Sequence, residues 1–153
     1  MASSTAPTAI TNLISAITTQ CSSDAAHILV TLGLPDANVQ DVPNDVIFLT
    51  GAVDRPITPQ TFIGSLGTGA LRESYNFDVN ISTFANDTAA NVLSRVWVLV
   101  GYVEAALRAD PTIGGAVELS WPQSTSGGEP QAVQEPAGWQ CDLTVTIHAE
   151  STI

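Results

Sequence analysis

The sequence predicts an α+β fold: an antiparallel-rich β-sheet with a long helix and an N-terminal helix packed on one face. Three observations carry this. Two long segments, residues 72–84 and 139–149, alternate strictly between apolar and polar side chains, the period of a half-buried strand. Between them, residues 88–109 hold an apolar stripe at helical spacing. The elements come as a helix, strands, a long helix and strands again, an order that segregates helices to one side of a sheet.

From the N-terminus, Pro7 suits the first turn of a helix that follows Ser4 or Thr5. Ile10, Leu13, Ile14 and Ile17 recur at helical spacing, so a helix from Ala6 to near Thr19 is expected. Ser22-Ser23-Asp24 offers a second cap. The run 25–32 fits either a short helix ended by Gly33 and Pro35 or a strand through His27-Ile28-Leu29-Val30-Thr31, and spacing does not decide between them. Val39-Gln40-Asp41-Val42 reads as a short strand cut off by Pro43, and Val46-Ile47-Phe48-Leu49-Thr50 as a core strand. Residues 54–70 hold Pro56, Pro59, Gly64, Gly67 and Gly69 and read as irregular. Loops longer than about 12–15 residues are usually functional or disordered. Ile57, Phe62, Ile63 and Leu66 give this one apolar groups to set against another surface, such as a second subunit.

In the first long strand Tyr75, Phe77, Val79 and Ile81 face one way, and Ser74, Asn76, Asp78, Asn80 and Ser82 the other. Asn86-Asp87 supplies the N-cap of the long helix. Its stripe is Val92, Val96, Val100, Val103 and Leu107, widened by Leu93, Leu99 and Ala106, with Trp97 and Tyr102 toward its flanks. At about 1.5 Å per residue it is roughly 30 Å long. Arg108 in the last turn suits the helix dipole. Pro111 ends the helix, and Gly114-Gly115 turns the chain back toward the sheet. Val117, Leu119 and Trp121 then alternate with Ala116, Glu118 and Ser120. A polar, flexible loop is expected over 122–138, and a last strand from Trp139 to Ala149.

Composition narrows the function. The 153 residues suit one domain spanning 1–153, long enough to bury a real core. Fifteen acidic residues face only Arg55, Arg72, Arg95 and Arg108, there is no lysine, and the formal net charge is −11. Four scattered arginines build no phosphate-binding patch, so tight binding to DNA or to an anionic membrane is not expected. An acidic surface can instead keep DNA from sticking. The N-terminal run lacks the basic segment of a signal peptide, and the longest strongly apolar run, Val96 to Val100, is too short to cross a bilayer. A soluble protein made in the cytoplasm, with no membrane partner, is the expectation. Cys141 alternates with apolar residues as a small core hydrophobe, and nothing in the spacing pairs it with Cys21.

The sequence gives no positive sign of catalysis. His27 and His148 are lone candidates for a general base. No Gly-x-Ser-x-Gly elbow frames a nucleophile. Gly64-Ser65-Leu66-Gly67-Thr68-Gly69 is glycine-rich, but no lysine follows to reach a phosphate. Asp36, Asp41 and Asp45 miss the calcium-loop spacing. No metal, cofactor or enzymatic activity is expected. Trp121 and Trp139 bracket the polar loop, and tryptophan near loops is enriched at interfaces.

The run Arg95–Val117, RVWVLVGYVEAALRADPTIGGAV, resembles the signature of tail terminator proteins of long-tailed (siphovirus) actinobacteriophages. In that family an N-terminal helix is followed by a short strand, an apolar strand and a strand opening with an Arg-acid pair. A helix then ends in Ala-Leu-Arg-x-Asp-Pro-x-hydrophobic-Gly-Gly-x-Val, and a final alternating strand follows. Here those pieces are Asp45 to Val53, Arg72-Glu73 with Tyr75 and Phe77, Ala106 to Val117, and Trp139 to Ile147. The match covers most of residues 39–150 in order of elements, while Cys21 to Leu34 departs from the shorter link of the family.

The resemblance implies a ring, typically a hexamer, on the head-proximal end of the tail tube, at the tail-neck junction of the virion. Such a ring stops the major tail tube protein from polymerising and joins the tail to the head-side connector or stopper protein. Genome DNA passes through its lumen without sequence-specific binding. A neck connector or stopper is the alternative within the same assembly, and a small ligand-binding domain or enzyme the alternative outside it. On this reading Arg55, Phe62, Ile63, Leu66, Arg72, Glu73, Trp121 and Trp139 are the candidate subunit-interface residues. Asp36, Asp41, Asp45, Glu129 and Glu135 are the candidate lumen-facing acids.

Overall fold

A computed structural model describes residues 4–34, 43–59, 71–134 and 137–153. The elements are α1 (Ala6–Cys21), β1 (Ile28–Leu32), β2 (Asp45–Asp54), β3 (Ile57–Pro59), β4 (Leu71–Ala85), α2 (Ala89–Ala109), β5 (Leu119–Gly127), β6 (Gln131–Gln134) and β7 (Ala137–Thr152). The strands form one sheet in the order β1-β2-β4-β7-β5, with β3 extending along β4 and β6 along β7. Among the described residues only β1 and β2 pair in parallel; the other pairs are antiparallel. Both helices bury their apolar sides on one face of the sheet in a single core. The expected α+β architecture is what the chain adopts.

The two long alternating strands are its centre. β4 and β7 pair from Arg72↔Thr152 to Ala85↔Trp139. Tyr75, Phe77, Val79 and Ile81 of β4, with Cys141, Leu143, Val145, Ile147 and Ala149 of β7, point under the helices. The opposite residues make polar ladders on the open face: Thr146 Oγ1 donates to Asp78 at 2.8 Å, and Thr144 Oγ1 to Asn80 at 3.0 Å. The ambiguous run 25–32 is resolved as strand. Ile28 to Leu32 lie against Asp45 to Leu49, and Gly33, at φ 75°, turns its N–H to the Leu49 carbonyl at 2.7 Å.

α2 begins one residue later than the expected cap. Thr88 Oγ1 accepts from the Asn91 N–H at 3.2 Å, and Asp87 instead bonds the Asn91 side chain. By length and composition α2 could cross a membrane. In this fold Val92, Val96, Leu99, Val100, Val103, Ala106 and Leu107 are buried against the protein's own core. Leu93, expected in that stripe, faces solvent.

Two expectations are corrected after α2. The first concerns phase. Val117 is buried, but so is Ser120, while Leu119 and Trp121 lie exposed. The strand starts at Leu119, and Ser120 Oγ turns inward to donate to the Pro111 carbonyl at 2.7 Å. That bond fixes the side facing the core. The second concerns the expected loop over 122–138. β5 and β6 lie end to end along one edge of β7, joined by a turn in which Gly127 and Gly128 take φ 88° and 89°. Both strands are solvated and carry no apolar alternation, so period 2 leaves no mark in their sequence. Pro122, which has no N–H to give a ladder, sits where the β5 register shifts.

Gly138 is where β7 crosses the end of β4. A Cβ there would lie 2.6 Å from the Ala85 carbonyl oxygen and 2.7 Å from the Phe84 ring. Gly138→Ala is therefore expected to destabilise the fold by about 1–3 kcal/mol through overpacking, read by urea unfolding. A variant as stable as the parent would show that β4 and β7 separate there at no cost.

Candidate assembly surfaces

Among the described residues four places gather the chemistry-bearing side chains: a corner, two buried ion clusters and the open face of the sheet. The corner is the segment singled out by its resemblance. Asp110 ends α2 in extended backbone. Its carboxylate accepts from the N–H and hydroxyl of Thr112 and, at 2.7 Å, from the N–H of Gly114. These bonds hold the Asp110 carboxyl below its ordinary pKa, with the Thr112 side chain the largest contributor. Ile113, Gly114 and Gly115 follow with φ of 50°, 67° and 78°. A β-branched residue at positive φ is an outlier. Ile113 holds it because its side chain is buried in the core and Asn12 of α1 donates to its carbonyl at 3.1 Å. The corner thus ties α2, β5 and α1 together.

The first ion cluster centres on Arg95 of α2. Its guanidinium reaches Asp45 through Nε at 2.9 Å and Nη2 at 2.7 Å, and Asp24 through Nη1 at 2.9 Å and Nη2 at 3.1 Å. Thr83 also donates to Asp45, and the Tyr102 hydroxyl donates to Asp24 at 2.6 Å. The Arg95 bonds, then Tyr102 and the Ala26 N–H, hold Asp24 well below the usual carboxylate range. Asp45 is only 6% exposed. Its proposed place on a lumen is corrected: the side chain lies inside the protomer, joining the start of β2 to α2.

The second cluster centres on Glu73, which is 0% exposed. It accepts from the Thr5 N–H at 2.7 Å, from the Thr5 hydroxyl, and from Arg55 Nε at 2.6 Å. Thr5 is the N-cap of α1 and makes no cap bond with its own side chain, so Glu73 caps that helix from 68 residues away. Burial works against the charge on Glu73, but the bonds from Thr5 and Arg55 outweigh it and leave the pKa lowered. Glu73 is therefore corrected from an interface candidate to an internal clamp. Alternation along β4 separates it from Arg72, which points to the open face and pairs with Glu150.

The remaining candidates divide between surface and core. Trp121 lies on the open face, stacked on His148 with ring centroids 4.6 Å apart. His148 Nδ1 lies 2.7 Å from Asn76 Oδ1, and Nε2 3.3 Å from Glu150 Oε1. Trp139 is on the other face, packed against the end of the core. Glu129 is exposed in the turn between β5 and β6. Asp36, Asp41, Phe62, Ile63, Leu66 and Glu135 lie outside the described residues. Cys21 and Cys141 are both free and buried, and burial pushes the Cys21 thiol up to about 11. Among the described residues no three of His, Cys, Asp and Glu converge as a metal site.

Sequence reasoning missed one surface, the outward side of α2. Leu93, Trp97 and Val98 stand 38%, 49% and 45% exposed there. The signal was present in the helix itself, which is apolar on more than the one stripe a two-layer fold can cover. No family model matches the chain, and no curated protein matches it.

Proposed function

We propose that this chain is the subunit of a tail terminator ring, a structural virion protein without catalysis. The ring caps the head-proximal end of a phage tail tube, stops its polymerisation and joins it to the head connector. One observation carries the reading: the segment that resembles the terminator family, Ala106–Val117, is a locked corner. Its aspartate and glycines hold helix layer and sheet layer at a fixed angle. A ring closes only if each subunit is a wedge of fixed shape with two different patches meeting head to tail. The two layers supply dissimilar patches, an apolar helix face and a polar sheet face. The net charge of −11 suits a ring whose lumen passes DNA without gripping it.

Deletion of the gene in the encoding phage tests the reading by electron microscopy of the lysate. Filled heads beside detached tails of uncontrolled length are expected. Detached tails of normal length, with heads that leak, would move the protein to the connector or stopper side of the joint.

The corner has its own test. Pro111→Ala with Gly114→Val places a β-branched residue at φ 67°, with its Cβ 2.9 Å from the Asn12 amide. A loss of about 1–3 kcal/mol is expected from the strained backbone alone, together with impaired ring formation. Unchanged melting and normal tails in the double variant would remove the corner from the account.

A further inference from the structure

We propose that the outward face of α2 is one half of a head-to-tail contact between copies of this chain. The other half is the depression on the open sheet face lined by Phe48, Asn80, Ser82, Gln140, Asp142 and Thr144, in which Trp97 of the neighbouring copy sits. This deepens the ring reading and rests on it for closure of the assembly.

Among the described residues nothing in the protomer covers the helix side of the contact. The buried stripe of α2 is complete without Leu93, Trp97 and Val98, yet these are the large apolar groups on its solvent side. Gly101 lies one turn beyond Trp97 on the same side. A Cβ at Gly101 would meet nothing within 4 Å. Glycine inside a helix costs about 0.5–1 kcal/mol relative to alanine, and among the described residues no contact within the protomer requires it here. In the proposed contact it lets the neighbouring copy's backbone come close to α2.

The sheet side has the matching chemistry. The depression has a volume of about 380 Å³ and an apolar floor at Phe48. Its rim supplies the oxygens of Asn80, Asp142 and Thr144, acceptors for the indole N–H, which needs a partner once buried. Charge sets the register. Arg108 lies on the same stripe as Trp97, eleven residues on, or about 16 Å along the helix; its Nη2 pairs with Glu104 at 3.1 Å, but the side chain stays 77% exposed, and such a surface pair is weak enough to exchange for a carboxylate of the next copy. On β4, Asp78 lies four residues from Ser82, about 13 Å along the strand. With Trp97 over Ser82, the guanidinium of Arg108 reaches Asp78. In a chain of net charge −11, this sets the most exposed arginine over the acidic face of the next copy and offsets their repulsion.

The halves lie on opposite layers of the molecule, so a contact between them joins two different patches. Such a contact is heterologous and propagates around a ring.

Thiol cross-linking tests it. Ser94→Cys, exposed on α2 beside Trp97 and leaving that ring in place, and Ser82→Cys proteins are made separately, each verified by its melting curve, and mixed with a short bismaleimide. Cys21 and Cys141 are buried, so the unsubstituted chain is the blank. A covalent dimer is expected in the mixture and in neither variant alone. A dimer from Ser94→Cys alone would show the helix stripes meeting each other and overturn the proposal. Assemblies that form by mass without the mixed cross-link would overturn this contact and leave the ring reading standing. Protein that stays monomeric and uncross-linked at about 1 mM, where even weak contacts are populated, would overturn the contact too. The ring reading would then rest on tail lengths after gene deletion. Arg108→Glu is expected to weaken association about tenfold or more, and Asp78→Arg in the same chain to restore it. No restoration would overturn the register.

Discussion

Arg95→Met is expected to destabilise the protein by about 3–5 kcal/mol at neutral pH, because it leaves two buried carboxylates without their cation. The Asp24 and Asp45 side chains are only 9% and 8% exposed. Methionine fills similar space, so the loss reports charge rather than a cavity. The pH dependence separates this from ordinary packing. In the parent chain Asp24 has a depressed pKa, mainly through Arg95. Its contribution is full above the unfolded carboxylate value of about 3.9, and is lost as pH falls from there through the folded value. In Arg95→Met the sign reverses: protonation removes an uncompensated charge, so the gap between variant and parent narrows as pH falls through the carboxylate range. Urea unfolding followed from about pH 7 down to about pH 2 measures both. A variant within 1 kcal/mol of the parent at pH 7, or a gap independent of pH, would show that the cluster is solvated.

Glu73→Ala is the second large effect, also about 3–5 kcal/mol, since it strands a charged partner at Arg55 and removes the cap of α1. The variant should lose the first turn of α1 before the rest of the fold, seen as faster amide exchange at the start of that helix. Glu73→Gln keeps an oxygen for the Thr5 N–H but not the charge for Arg55, and is expected to recover about half of the loss. The folded pKa of Glu73 is lowered, so its contribution is present above the unfolded value of about 4.3 and lost as pH falls below it. Equal stability of Glu73→Ala and parent would place Thr5 and Arg55 in water rather than on Glu73.

Both predictions concern residues whose partners were invisible in the sequence. Arg95 meets Asp45 across 50 residues and Asp24 across 71. Glu73 meets Thr5 across 68. No local spacing marks such pairs. Glu73 and Asp45 therefore looked like surface carboxylates in an acidic chain, and the structure places both inside. The candidate surface on α2 was half legible. Its apolar excess is written in Leu93, Trp97 and Val98, but only the packing shows which stripe the core has taken.

By itself the sequence determined the parts of this protein whose periodicity is set by one wet and one dry face. These are the alternation of Tyr75 to Ile81 and Cys141 to Ala149, the stripe from Val92 to Leu107, and the stop at Pro111. They suffice for an α+β layer fold, because burial imposes period 2 on strands and 3.6 on helices. Only the tertiary structure decided the rest. The run 28–32 became a strand because β2 offered it hydrogen bonds. Residues 119–134 became edge strands along β7 although water bathes most of their side chains. Ser120 turned inward because the Pro111 carbonyl needed a donor. In each case the deciding partner is a backbone group outside the segment itself, and such partners leave no period behind.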